Sequence, residues 1–159
     1  MALTTGMQKL KERMLSSRLT LSVAESLTCG NLQARIGMIS GASGFFLGGV
    51  TAYSLEQKNK ILGVPREIAE QVNCVSEEVA VLMAQGARGL FGSDIAIATT
   101  GYAESAPGQE VSVPFAWWAI VDHDKTITGR VECPHMTRIM VQHRVAEVAC
   151  DALIESFQP

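Results

Sequence analysis

Within Leu19-Thr20-Leu21-Ser22-Val23-Ala24-Glu25-Ser26-Leu27-Thr28-Cys29-Gly30 a strand hands over to a helix. Leu19, Leu21 and Val23 alternate with Thr20 and Ser22, the two-residue period of a strand, and that strand runs directly into Ser26. Thr28 is of a type that accepts hydrogen bonds from the free amides of a helix start, and Leu32, Ile36 and Ile39 form an apolar stripe ending near Ser40-Gly41. Ser26 is thereby set at a strand exit, facing a helix N-terminus.

Upstream, Met7, Leu10, Met14 and Leu15 recur at helical spacing among Lys9, Lys11, Glu12 and Arg13, which predicts an amphipathic helix over 7–15. Downstream, residues 45–53 are aromatic and β-branched but interrupted by Gly48-Gly49, a strand with a bulge or a close backbone approach. Tyr53 lies at its exit. Ser54 with Gln57 matches a capping box, and Gly63 stands where a helix closes in a left-handed turn, so Lys58 falls in the first turns of that helix.

Ser76-Glu77-Glu78 opens a further helix whose buried face is read as Val79, Leu82, Met83, Ala87 and Leu90, with Gly92 as its stop. Residues 94–100 form a compact apolar run, expected of a central strand covered on both faces, and they empty into Gly101. Residues 114–121 and 126–133 read as two strands joined by a turn at His123-Asp124. Thr137 precedes a last helix carrying Val141, Val145, Val148, Ala149 and Leu153.

Alternating helices and strands, without repeat, low-complexity tract or linker, predict an α/β fold: a three-layer α/β/α sandwich with a mixed, mainly parallel sheet, forming a single domain over 1–159. In such sheets ligands bind at the carboxyl ends of strands, where Ser26, Tyr53 and Gly101 all fall.

The 159 residues are 47% hydrophobic, enough for a sizeable core, and a net charge of -3 without a basic block argues against a grip on nucleic-acid phosphates. Cys29, Cys74, Cys133 and Cys150 lack CxxC spacing and read as reduced thiols. No run approaches the ~20 apolar residues of a membrane span and no signal-like start is visible, so the expectation is a cytoplasmic protein with neither membrane nor nucleic acid as partner.

A serine hydroxyl becomes a nucleophile only with a base in hydrogen-bond reach. Histidine is the usual base, but His123 falls in a turn, His135 in a loop and His143 in the last helix, none beside a strand exit near Ser26. Lysine substitutes when burial or a positive potential lowers its pKa, and Lys58 near a helix start has access to both. Tyr53 is placed to relay a proton or hold a substrate group. The amides around Thr28, Cys29 and Gly30 suit an oxyanion or a phosphate. On pattern alone, capping roles for Ser26 and Thr28 and a solvated Lys58 are the favoured reading, and Cys29 reads as a small buried filler in preference to a reactive thiol at a helix start. Of Trp117 and Trp118, adjacent on a strand, at most one lines any given pocket.

The strings Ala24-Glu25-Ser26-x-Thr28-x-Gly30, Gly41-Ala42-Ser43-x-x-Phe46, Gly49-Val50-Thr51-x-Tyr53-Ser54 and Lys58-x-x-x-Leu62-Gly63-Val64 resemble the CinA C-terminal domain family. So do Val75-Ser76-Glu77 and Met83-Ala84-x-Gly86-Ala87, and the order of all these motifs is kept over most of the chain. The resemblance implies a nicotinamide-nucleotide amidase, which hydrolyses the amide of nicotinamide mononucleotide to nicotinate mononucleotide and ammonia by a Ser/Lys mechanism.

By matching motif, the resemblance makes Ser26 the acylated nucleophile, Lys58 the general base and Tyr53 its neighbour. Substrate-binding positions are then Thr28, Cys29, Gly30, Thr51, Gly101 and Arg138. No metal and no organic cofactor is implied. The implied partners are a small-molecule nucleotide substrate and further copies of the same chain, in a homo-oligomer.

The chain departs from the family pattern away from the serine and lysine. Cys29 precedes Gly30 where two glycines are usual, Glu104-Ser105 replaces a Gly-Pro, and Val111 to Ala116 lacks a lysine, a glycine and a threonine. Met136, Thr137 and Gln142 surround Arg138 and Val141 in the last motif. The alternative left open is a CinA-like module that binds a nucleotide or a partner without turnover.

Overall fold

The computed structural model describes residues 2–157. A helix α1 (Ala2–Ser16) leads into strand β1 (Leu21–Glu25), helix α2 (Asn31–Gly37) and strand β2 (Phe46–Thr51). Helices α3 (Leu55–Leu62), α4 (Arg66–Gln71) and α5 (Glu77–Phe91) follow, then strands β3 (Ile95–Tyr102), β4 (Phe115–Val121) and β5 (Thr126–Glu132), and helix α6 (Arg138–Glu155). The sheet order is β2-β1-β3-β4-β5. β1 pairs in parallel with β2 and β3, while β4 runs antiparallel to both β3 and β5. The chain is thus a three-layer α/β/α sandwich on a mixed sheet. Among the described residues no helix is long and apolar enough to cross a membrane.

Strand alternation sorts side chains onto two faces. Leu21, Val23, Ile95, Ile97 and Ile120 pack against Leu10 and Met14 of α1, Leu32 and Ile36 of α2, and Leu153 of α6. Ala24, Ala96, Ala98, Ala119 and Val121 face the other layer, where Ala80, Met83, Ala84 and Ala87 of α5 lie against them. Alanine on both sides lets α5 sit close to the sheet. Helix α3 is just as close to α5, since a Cβ on Gly86 would fall 2.1 Å from the Leu62 carbonyl oxygen.

The caps follow the sequence signals. Ser54 Oγ accepts from Gln57 N and Ser76 Oγ from Val79 N, and Gly63 and Gly92 close their helices at φ 68° and 65°. The bulge of β2 is at Leu47, because the pairing passes from Leu21–Phe46 directly to Ser22–Gly48.

Several expectations are corrected. Helix α1 begins at Ala2 rather than near Met7, and α2 ends at Gly37, short of Ile39. The short helix α4, started by Pro65, has no apolar period long enough to reveal it. Leu90 is 52% exposed, since the stripe Val79, Ala80, Met83, Ala84, Ala87 continues onto Phe91, which covers Gly48. Gly101 lies inside β3 opposite Ala116, where a Cβ would come within 2.4 Å of the Phe115 carbonyl oxygen. Trp117 and Trp118 pack with opposite layers, as alternation requires.

Candidate active site

Two consecutive residues at the end of β1 point to opposite faces, and each meets a different helix. Glu25 faces α2, where its wholly buried carboxylate accepts hydrogen bonds from Gly30 N (3.0 Å), Leu32 N (3.1 Å) and Gln33 N (2.9 Å). A carboxylate there satisfies amides that no turn of helix reaches and sits at the positive end of the helix. Helix α2 therefore takes no cap from a side chain at its own N-cap residue, Gly30.

This revises the reading of Thr28 as a cap. Its hydroxyl is paired with Thr99 Oγ1 at 2.7 Å across the β1–β3 junction, and Asn31 Nδ2 donates to its carbonyl. Cys29 is exposed rather than a buried filler, on a turn at φ 47°. Of the amides expected to face a ligand, Cys29 N donates to Ser26 O and Gly30 N to Glu25. The amides of Leu27 and Thr28 are engaged by no protein acceptor among the described residues.

Ser26 faces α3. Its backbone N donates to Thr99 O, fixing it beside β3, and its Oγ lies 2.9 Å from Lys58 Nζ. Lys58 is only 1% exposed, so it is not a solvated lysine. The ammonium also donates to Ala52 O (2.9 Å) and Tyr53 O (3.0 Å), the two carbonyls that lead from β2 into α3. The capping turn at Ser54 therefore does more than start a helix: it aims two carbonyls at the lysine one turn on.

Burial holds the Lys58 ammonium below the usual lysine range, and ionisation of nearby Cys74 acts in the opposite sense. The Cys74 thiol is itself raised, chiefly by burial and only partly offset by Lys58. In the sequence Cys74 reads merely as a reduced thiol. It joins the site because its carbonyl accepts from Thr100 Oγ1 at 2.6 Å, which ties the turn after α4 to β3.

Arg138, at the start of α6, spans the outer side of the site. One guanidinium nitrogen donates to the Tyr53 phenol at 2.7 Å and the other to Glu104 Oε1 at 2.9 Å. The Arg138 and Glu104 side chains are 45% and 66% exposed, so this pair is worth only about 0.2–1 kcal/mol to the fold. Tyr53 links the two halves, its carbonyl on Lys58 and its exposed ring on Arg138. Thr51 is exposed at the end of β2, in register with Glu25.

Ser26, Lys58, Tyr53 and Arg138 are thus brought together, whereas Gly101 shapes backbone packing. Pattern reading misses Glu25, Thr99, Thr100 and Cys74 as supports of the site. An acid closing an apolar strand, immediately before a helix start, is the available signal for Glu25. Among the described residues no group of three or more His, Cys, Asp or Glu could hold a metal ion.

The family model of the CinA C-terminal domain matches residues 4–157. A CinA-like protein of Shewanella sediminis is 36% identical over 152 residues, which cover 95% of this chain and 36% of that protein. The crystal structure of the competence damage-inducible protein A of Klebsiella pneumoniae superposes with a TM-score of 0.89 at 29% identity, covering 98% of this chain and 99% of that one. A competence-damaged protein (CinA) superfamily protein from Enterobacter cloacae gives a TM-score of 0.91 at 26% identity over 98% and 92% of the two chains. The chain spans only part of the curated relatives it matches, between 27% and 36% of the first three. It belongs to the CinA C-terminal domain family.

Proposed function

We propose that this member of the family is an amidohydrolase of the nicotinamide-nucleotide amidase type, with Ser26 as nucleophile and Lys58 as its base. The observation that carries the reading is the lysine's hydrogen-bond geometry. A neutral lysine has two N–H bonds and one lone pair, and the carbonyls of Ala52 and Tyr53 take the two N–H bonds. The lone pair is left for the Ser26 hydroxyl 2.9 Å away. Desolvation favours that neutral form.

In the proposed reaction Ser26 Oγ attacks the carboxamide carbon while Lys58 takes the hydroxyl proton. Lys58 then returns the proton to the leaving nitrogen, the C–N bond breaks, and ammonia departs from an acyl-serine ester. Water enters, gives a proton to Lys58, and breaks the ester to release the carboxylate and restore Ser26. The amides of Leu27 and Thr28 follow the nucleophile directly and are suited to the developing oxyanion. Tyr53 positions Lys58 through its carbonyl and Arg138 through its phenol.

The test is ammonia release from nicotinamide mononucleotide and related carboxamides by pure protein. Ser26→Ala and Lys58→Ala are each expected to lower the rate by roughly a thousandfold or more, on the order seen when a coupled nucleophile and base lose one member. Equal rates for wild type and Ser26→Ala across the series would leave a non-catalytic binding module instead.

Self-association is part of the same reading, supported by Met38, Ile139 and Met140, which expose 79%, 67% and 51% of their surface. Sedimentation showing only monomer at micromolar concentration would contradict it. The four cysteines are free thiols, which supports a reducing compartment such as the cytoplasm.

A further inference from the structure

We infer that Glu104 sets the substrate class by charge, so that this site takes carboxamides with an uncharged group at Arg138 in preference to phosphate monoesters there. The inference rests on the amidase reading above for the position of the substrate, and adds to it what the outer wall selects.

Arg138 is the cation on this side of the site, its guanidinium bonded to the phenol of the residue whose carbonyl holds Lys58. That guanidinium is already engaged. Glu104 Oε1 accepts from one nitrogen at 2.9 Å and the Tyr53 hydroxyl from the other at 2.7 Å, so the wall carries one cation and one anion at contact distance. A phosphate arriving there must share the guanidinium with a carboxylate and remain beside its charge. A hydroxyl or other neutral group meets a dipolar surface in which cation and anion balance.

The carboxylate cannot simply swing far away with its loop. Residue 104 follows the end of β3 and buried Ala103, and the loop is clasped at its far side by reciprocal hydrogen bonds between Ala106 and Val111 at 2.9 and 3.1 Å. The side chain can rotate, but its charge stays within reach of Arg138. With a doubly charged phosphate and exposed, solvent-screened partners, the discrimination should be about tenfold.

Binding to Ser26→Ala protein, which separates recognition from turnover, tests this by calorimetry with nicotinamide mononucleotide and its phosphate-free nucleoside. The protein that keeps Glu104 is expected to prefer the nucleoside, and a further Glu104→Gln substitution to shift the ratio of dissociation constants about tenfold toward the mononucleotide. Raising salt from about 20 mM to about 500 mM should move the ratio little where Glu104 is kept, because cation and anion offset each other, and back toward the nucleoside in the Glu104→Gln protein, where the Arg138 charge is left uncompensated. A ratio unchanged by both the substitution and salt overturns the inference, as does failure of either protein to bind either ligand. Binding with the expected ratio, but no ammonia from protein that keeps Ser26, would instead overturn the amidase reading alone.

Discussion

The inner and outer halves of the candidate site are held by opposite means. On the inside, Ser26 and Lys58 are 7% and 1% exposed and the Lys58 nitrogen has three fixed partners, Ser26 Oγ, Ala52 O and Tyr53 O. On the outside, Arg138, Glu104 and the Tyr53 ring meet in water through an ion pair of small energetic weight. Buried polar groups must be satisfied or they destabilise the fold, so the inner half tolerates little change. The outer half can exchange one charge for another without unfolding anything. On the proposed reading, chemistry and selectivity are therefore separable in this molecule.

The largest effect is expected at the inner pair, where loss of either Ser26 or Lys58 removes roughly a thousandfold or more of the proposed hydrolysis, and loss of both adds little beyond one. An additive double variant in steady-state assays would break the picture of a coupled pair.

Next comes pH. Lys58 acts as base only when neutral, so kcat/KM should rise about tenfold per pH unit until the lowered lysine pKa is passed. The same shift has a stability sign. The folded pKa lies below the ordinary lysine value of 10.5, so between the two the unfolded chain binds more protons and stability rises with pH across that window. Denaturant titrations of Lys58→Met should lack this slope; a parallel slope would show that Lys58 is not its source.

Glu25→Gln is expected to lower stability by about 3 kcal/mol, because three amides lose a charged acceptor and the new amide nitrogen opposes one of them. Chemical denaturation measures it, and a change below about 0.5 kcal/mol would mean that α2 is capped by solvent rather than by Glu25. The smallest effect belongs to the rim. Tyr53→Phe keeps the carbonyl on Lys58 and removes only the exposed bond to Arg138, so turnover should fall by roughly threefold. A loss approaching that of Lys58→Ala would place the phenol in the chemistry itself.

The same division explains what can be read from the sequence. The inner half is written in local patterns: the alternation that carries Ser26 to a strand end, and the Ser54–Gln57 capping box that sets Lys58 a turn behind Tyr53. Glu25 is harder, because a charge inside a buried strand looks like an interruption until its partner amides are known. The rim is legible only as separate residues. Tyr53, Glu104 and Arg138 stand 51 and 34 residues apart along the chain, and only closure of the sheet and α6 brings them into contact. Helix α4 and the true face of α5 are obscured for a related reason. Six residues hold too little period to recognise, and Leu90 and Phe91 are equivalent in hydropathy but not in direction.

Whether Lys58 arms Ser26 for acyl transfer is decided by acid-quenching the protein during turnover of a carboxamide and mapping the acyl group by peptide mass spectrometry. An adduct is expected on Ser26 and should disappear in Ser26→Ala and in Lys58→Ala. An adduct on the neighbouring exposed thiol of Cys29, or turnover that continues without Ser26, would contradict it.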